Sequence, residues 1–170
     1  IPLFVATDAE WGLSMRLDSA VKYPKNMALG AIHDDSLLYE FGAEMARQLR
    51  AIGVHINFAP DADVNNNPQN PVINDRSFGE NKFRVASKSL MVMRGMQENG
   101  VMACMKHFPG HGDTDTDSHY DLPLISHDRA RLDSLELYPF KELGRFGIQS
   151  AMIAHLYVPA LDTTPNLPST

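Results

Sequence analysis

Apolar positions along the chain fall into short, mostly apolar runs separated by longer stretches of helical period. Residues 2–7, 54–58, 101–105 and 151–154 are runs of strand length, rich in Val, Ile, Phe and Ala. Between them, Leu37, Phe41, Met45 and Leu49 recur every four residues, with Leu38 and Ile52 widening the stripe. This spacing predicts a helix from residue 34 or 35 up to the stop at Gly53, with Asp34, Asp35 and Ser36 as N-cap candidates. A second helix is predicted over 81–99, with Phe83, Ala86, Leu90, Met93 and Met96 on one face and Gly100 as its stop. A third is predicted over 128–146, entered or kinked around Pro139 and ended by Gly147, because proline lacks the helical N–H. A single helical turn is expected at 26–31. Residues 60–81 show neither period, and a loop that long within a compact domain is usually functional or disordered.

Strand–helix alternation implies a parallel sheet, and strands that are short and mostly apolar imply cover on both faces. Each run ends at a polar group: Asp8, Asp61, Lys106 with His107, and His155. That pattern fits the catalytic face of a (β/α)8 TIM barrel, whose sites lie at the carboxyl ends of the strands. A whole barrel takes about 250 residues, so four strands and three helices read as a central segment, about half of one. Both ends of the chain read as cut, and residues 1–170 are expected to be one partial catalytic domain that needs the remainder of the barrel. A doubly wound sheet has no support, since no G-x-G-x-x-G follows the first strand and no phosphate loop occurs.

Composition changes this picture little. The chain is 44% hydrophobic and 21% charged, ordinary globular values. A net charge of −6 with dispersed Lys and Arg gives no footprint for nucleic acid. No apolar run approaches the roughly 20 residues of a membrane span. Cys104 is the only cysteine, so no disulfide forms within the chain.

The candidate chemistry is concentrated in KHFPGHGDTDTDSHYDLP, residues 106–123, directly behind the third strand. In Asp117-Ser118-His119, a carboxylate beside an imidazole can fix its tautomer and leave the other ring nitrogen to move protons near neutral pH. His107, His111 and His119 among aspartates also raise a metal site. The alternating Asp113, Asp115 and Asp117 fail as an EF-hand loop, however, since Ser118 and Leu124 stand where Gly and Glu are needed. No H-E-x-x-H is present, and neither a metal nor a cofactor is assigned. Asp8, Arg16, Arg76 and Lys106 would together grip a hydroxyl-rich ligand. Trp11 reads equally as a sugar-stacking surface or a core residue.

At K-H-F-P-G-H-G…D-S-H the chain strongly resembles glycoside hydrolase family 3, in its bacterial β-N-acetylglucosaminidase branch. ATDAEWGLSMRL, INFAPDADVNNNPQNPVINDRSFGE and AMIAHLYVPALD extend the resemblance along the whole length. It implies hydrolysis of β-linked N-acetylglucosamine with retention, through a covalent glycosyl-enzyme on a barrel aspartate, acting on peptidoglycan- or chitin-derived oligosaccharides. It also implies His119 as general acid/base oriented by Asp117. Asp8, Arg16, Arg76, Lys106 and His107 would hold the non-reducing sugar, and His155 would line the same pocket. Two departures stand out. Trp11 replaces a glycine of many relatives, and the nucleophile's motif is expected beyond Thr170, so this segment alone is expected to be inactive. A phosphorylase of the same family, a non-catalytic sugar-binding domain and a metal-dependent hydrolase remain as alternatives. The compartment stays open between bacterial cytoplasm and periplasm, and so does the oligomeric state.

Overall fold

A computed structural model of the protein describes residues 3–117, 121–164 and 167–168. Four strands, β1 (Ala6–Thr7), β2 (Ile56–Asn57), β3 (Met102–Phe108) and β4 (Ser150–Ile153), form one sheet in the order β1-β2-β3-β4. All three pairings are parallel, with Ala6 opposite Ile56, Ile56 opposite Met102, and Cys104 opposite Ser150. Sequential parallel neighbours with intervening helices are the unit from which a (β/α)8 barrel is built, and the expected fold class holds. Among the described residues the sheet is open.

The helices are α1 (Asn26–Gly30), α2 (Ser36–Ala51), α3 (Lys82–Glu98), α4 (Arg129–Ser134) and α5 (Tyr138–Arg145). α2 and α3 cross closely, because Gly42 lies against the Val92 carbonyl and Gly95 against the Tyr39 carbonyl. Their inner faces bury Leu38, Phe41, Met45, Leu49, Val85, Val92, Met93 and Met96. Ala103 of β3, with Val54, Ala59 and Val101 just outside β2 and β3, joins them in one core. Lys88, on the inner side of α3, is buried and donates to Asp35 and to the Ile32 carbonyl.

Several local expectations are corrected. Leu37 and Phe83 leave the predicted stripes, at 53% and 59% exposed, while the inner face of α2 is centred on Leu38. Of the cap candidates, Asp35 takes the N-cap position of α2 but makes no side-chain cap bond, being occupied with Lys88 and Ser87, while Asp34 accepts from the Ser36 amide. The predicted third helix is two, broken at 135–137, with Pro139 in the first turn of α5 where its missing N–H costs nothing. The third strand runs on to Phe108, so Lys106 and His107 belong to it and do not follow it. Its last residues depart from simple register, with an irregularity between Met105 and Phe108 and cis peptides at Lys106–His107 and Phe108–Pro109. Among the described residues no helix is long and apolar enough to cross a membrane.

Candidate active site

Two buried asparagine side chains set the frame of the site. Asn57, at the end of β2, accepts from the Ala9 amide at 2.9 Å and donates to the Ala9 carbonyl at 3.1 Å. It thereby fixes the backbone between Asp8 and Glu10. Asn70, in the long loop after β2, donates to the His111 carbonyl at 2.7 Å while its own oxygen receives the Val72 and Ile73 amides. The loop behind β3 is thus held to the loop behind β2. Gly112 makes this approach possible, since a Cβ there would lie 1.8 Å from the Val64 carbonyl oxygen.

Lys106 is 1% exposed, and its ammonium lies 2.8 Å from Asp8 Oδ1 and 2.6 Å from Glu10 Oε1. A buried ammonium must be paired, and here two carboxylates share it. Glu10, itself buried, also takes Arg76 in a bidentate pair, with Nε at 3.1 Å and Nη2 at 2.7 Å. Arg76 Nη1 donates to the Val72 carbonyl, which fixes the plane of the guanidinium. Arg16 donates to the Asp8 carbonyl at 3.0 Å and to Asp8 Oδ2 at 3.1 Å. Burial works to raise the carboxyl pKa of both Asp8 and Glu10. The Lys106 ammonium and Arg16 outweigh it at Asp8, Arg76 and Lys106 outweigh it at Glu10, and both stay below the usual range.

His107 is oriented from beneath. Its Nδ1 lies 2.7 Å from Asp63 Oδ2, while Asp63 also accepts the amides of His107 and His111. Burial opposes ionisation of Asp63, but His107 and those hydrogen bonds lower its pKa. An ionised Asp63 takes the proton side of Nδ1, which leaves Nε2 as acceptor for Arg76 Nη2 at 3.3 Å. Asp61 behaves in the opposite way. Complete burial, then Asp63 and Glu10, push its carboxyl well above the ordinary range.

These groups surround a cavity of about 380 Å³ lined by Asp8, Glu10, Arg16, Arg76, Lys106, His107, His111 and His155, with Met15, Val72 and Met152–Ala154 as its apolar part. All six residues predicted to hold a ligand reach this one cavity. Asp117 is described but is not among the lining residues, and His119 lies outside the described residues. Trp11 is half-buried and sits under the Lys25 ammonium at 5.3 Å, away from the cavity. Glu10, Asp63 and His111 are the participants that sequence reasoning did not place here. The available signal was the i, i+2 spacing of Asp8 with Glu10 and of Asp61 with Asp63 at strand ends, which puts both members on one side of an extended chain.

Among the described residues, two groups have donor sets that could hold a metal: Asp61, Asp63 and His107, and Asp113, His127 and Glu136. In each the imidazole nitrogen is already hydrogen-bonded to an aspartate of the group. The arrangement is a polar socket with fixed cations and acceptors, suited to a neutral ligand with many hydroxyls.

Comparison with known proteins agrees along the full length. The family model described as "Glycosyl hydrolase family 3 N terminal domain" matches residues 1–170. Beta-hexosaminidase A of Pseudoalteromonas piscicida is 39% identical over 170 residues, covering 96% of this chain and 28% of that protein. The Beta-hexosaminidase of Nitrosospira multiformis is 34% identical, covering 96% of this chain and 49% of that protein. Among solved structures, a glycoside hydrolase family 3 beta-N-acetylglucosaminidase from Paenibacillus sp. superposes with a TM-score of 0.93 at 47% identity, covering 99% of this chain and 32% of that one. NagZ from Neisseria gonorrhoeae, in complex with N-trifluoroacetyl-D-glucosamine, superposes with a TM-score of 0.86 at 32% identity, covering 96% and 50%. The chain thus spans between about a quarter and a half of these relatives' length, and over that span it belongs to glycosyl hydrolase family 3 as part of the family's N-terminal domain.

Proposed function

We propose that the full-length protein is a retaining β-N-acetylglucosaminidase and that the cavity behind β1, β3 and β4 holds the non-reducing sugar. The observation that carries this reading is the convergence of Asp8, Arg16, Arg76, Lys106, His107 and His155 on one cavity from four separate stretches of chain. Carboxylate acceptors and fixed cationic donors match the alternating donors and acceptors of a sugar's hydroxyls. The apolar part of the lining, Val72 and Met152 among it, suits its carbon face. Relatives named for hexosaminidase and β-N-acetylglucosaminidase activity support the choice of sugar.

In this reading His119 is the general acid/base and Asp117 orients it. In the first step the C1–O bond to the leaving group breaks, and the imidazolium of His119 gives its proton to the departing oxygen. At the same time an aspartate oxygen from outside this segment bonds to C1. In the second step the neutral imidazole takes a proton from water as the water oxygen attacks C1 and the aspartate leaves. Two inversions give net retention. Peptidoglycan or chitin fragments are the substrates we favour.

The test is hydrolysis of an aryl β-N-acetylglucosaminide by the full-length protein beside His119→Ala. We expect turnover that falls by about 10²–10⁴-fold in the variant. The fall should be larger on a natural disaccharide, whose poorer leaving group needs more acid help. Preference for the plain glucoside would overturn the N-acetyl assignment. Cleavage of neither would make this a sugar-binding domain.

A further inference from the structure

The loop behind β3 carries Asp117 and His119 in its middle, and its two limbs are tied together at the base. On the incoming limb, Thr114 bonds to both the ring and the carbonyl of His111, and Asn67 donates to the Thr114 carbonyl at 3.2 Å. On the outgoing limb, the Ile125 amide donates to the Tyr157 carbonyl and the Tyr157 amide to the Pro123 carbonyl, both at 2.9 Å, which lays this limb beside the chain after β4. Near the tip the Asp121 amide donates to the Asp117 carbonyl at 3.2 Å, and at the base the limbs are joined by the hydrogen bond between His127 Nε2 and Asp113 Oδ2. Both side chains are partly buried. Behind them stands Arg131 of α4, whose Nη2 is 3.9 Å from Asp113 and 3.2 Å from Glu136. Glu136 in turn accepts from Asn66 of the long loop at 3.2 Å. Neither Asp113 nor His127 lines the sugar cavity.

We propose that Asp113 and His127 are positioning residues that clasp the base of this loop and thereby set Asp117, and the acid/base chemistry of its segment, relative to the sugar cavity. The inference rests on the glycosidase reading above. The physical reason is leverage. A loop that presents a proton donor must hold it within a fraction of an ångström, and a 1 Å misplacement costs about 10²-fold in rate. Fastening both limbs to one ion-pair cluster removes the freedom that would blur that distance. Because the clasp lies away from the cavity, loosening it should impair proton transfer and leave sugar binding alone.

The experiment compares Asp113→Ala, Asp113→Asn, His127→Ala and His127→Gln with wild type in the full-length protein. Two readouts are taken: kinetics on an aryl β-N-acetylglucosaminide and on the disaccharide, and hydrogen exchange of the amides in residues 114–126. We expect both alanine variants to lose about tenfold or more in kcat on the disaccharide, clearly less on the aryl glycoside, with KM within about twofold. Asn and Gln each keep a partner for the remaining side chain and should recover most of the loss. Exchange across 114–126 should speed up in the alanine variants and return toward wild type in the other two. Equal losses on both substrates, a change confined to KM, or unchanged exchange would overturn the proposal. If one alanine variant fails to fold, the other and the two conservative variants decide. If wild type cleaves neither substrate, it is the glycosidase reading that fails, and the clasp then stands or falls on exchange alone.

Discussion

Glu10 is 3% exposed and holds two cations of the cavity, Arg76 through both oxygens and Lys106 through one of them. Removing one partner from a buried charge cluster leaves the others uncompensated, at a cost of about 3 kcal/mol or more. Glu10→Gln should therefore lower the melting temperature and, by freeing Arg76 and Lys106 from their fixed positions, weaken N-acetylglucosamine binding by about tenfold or more in calorimetry. Unchanged affinity would remove Glu10 from the site's framework. Asp61 supplies a pH test of opposite sign to its neighbours. Its folded pKa is raised by burial, Asp63 and Glu10, so the folded state keeps a proton that the unfolded chain loses near pH 3.9. Stability linked to Asp61 is full below that value and falls as pH rises toward the folded one. The residue in Asp61→Asn does not titrate, and its amide oxygen can still accept the Asp63 amide as Asp61 Oδ1 does. Its melting temperature should exceed wild type by most at neutral pH, with the gap closing toward pH 4. A gap that widens on acidification would refute the assignment. These residues also show what a sequence conceals. Asp8, Lys106 and His107 were legible because charge at the end of an apolar strand needs a reason, whereas Arg16 and Arg76, in irregular loops, read as solvated surface and gained a role only through the family resemblance. Glu10 and Asp63 were not legible, because a carboxylate in the loop after a strand reads as a turn cap or a solvated group, and only the fold brings Arg76 to Glu10 and His107 to Asp63.

At the scale of elements, strand and helix order was legible because each apolar run and each four-residue stripe recorded one buried face. The third strand's true end was not. Lys106 and His107 are polar and look like loop, yet Lys106 is buried in β3 by partners 98 and 96 positions away in sequence, Asp8 and Glu10. Phe83 was placed in the core by its spacing, but in the first turn of α3 it packs edge-on to Tyr138 while staying exposed. Close packing of α2 on α3 gives the element-scale prediction. A Cβ at Gly95 would lie 2.2 Å from the Tyr39 carbonyl oxygen and 2.8 Å from the Ala43 nitrogen, all backbone. Gly95→Ala should cost about 1–3 kcal/mol or more through forced separation of the helices. Gly144, in α5, has nothing within 4 Å of its Cβ position. Gly144→Ala should instead stabilise by about 0.5–1 kcal/mol, because alanine loses less backbone entropy on entering a helix. Denaturant midpoints of the two variants measured together check both signs. A neutral Gly95→Ala would mean that the helix pair yields without cost.

For the whole molecule, the sheet ends at β1 on one side and β4 on the other among the described residues. Beside β1, Leu3 and Phe4 are 80% and 69% exposed, and Ile153 of β4 is 48% exposed. A parallel sheet is stable when helices cover both faces, and a barrel removes its edges by closing. Here one edge offers unpaired backbone groups next to a run of large apolar side chains, a surface fit for further strands and unfit for water. The cavity has the same one-sidedness: β3, β4 and the loops behind β1, β2 and β3 supply its wall, and the proposed nucleophile comes from elsewhere. Residues 1–170 expressed alone should therefore associate through the open edges, eluting above monomer size, binding a dye specific for exposed apolar surface and giving no turnover of the aryl glycoside. The full-length protein should show neither the dye binding nor the self-association through these edges. A monodisperse and active 170-residue monomer would show that the edges are covered and the chemistry complete within this segment, and it would require a nucleophile among the residues described above.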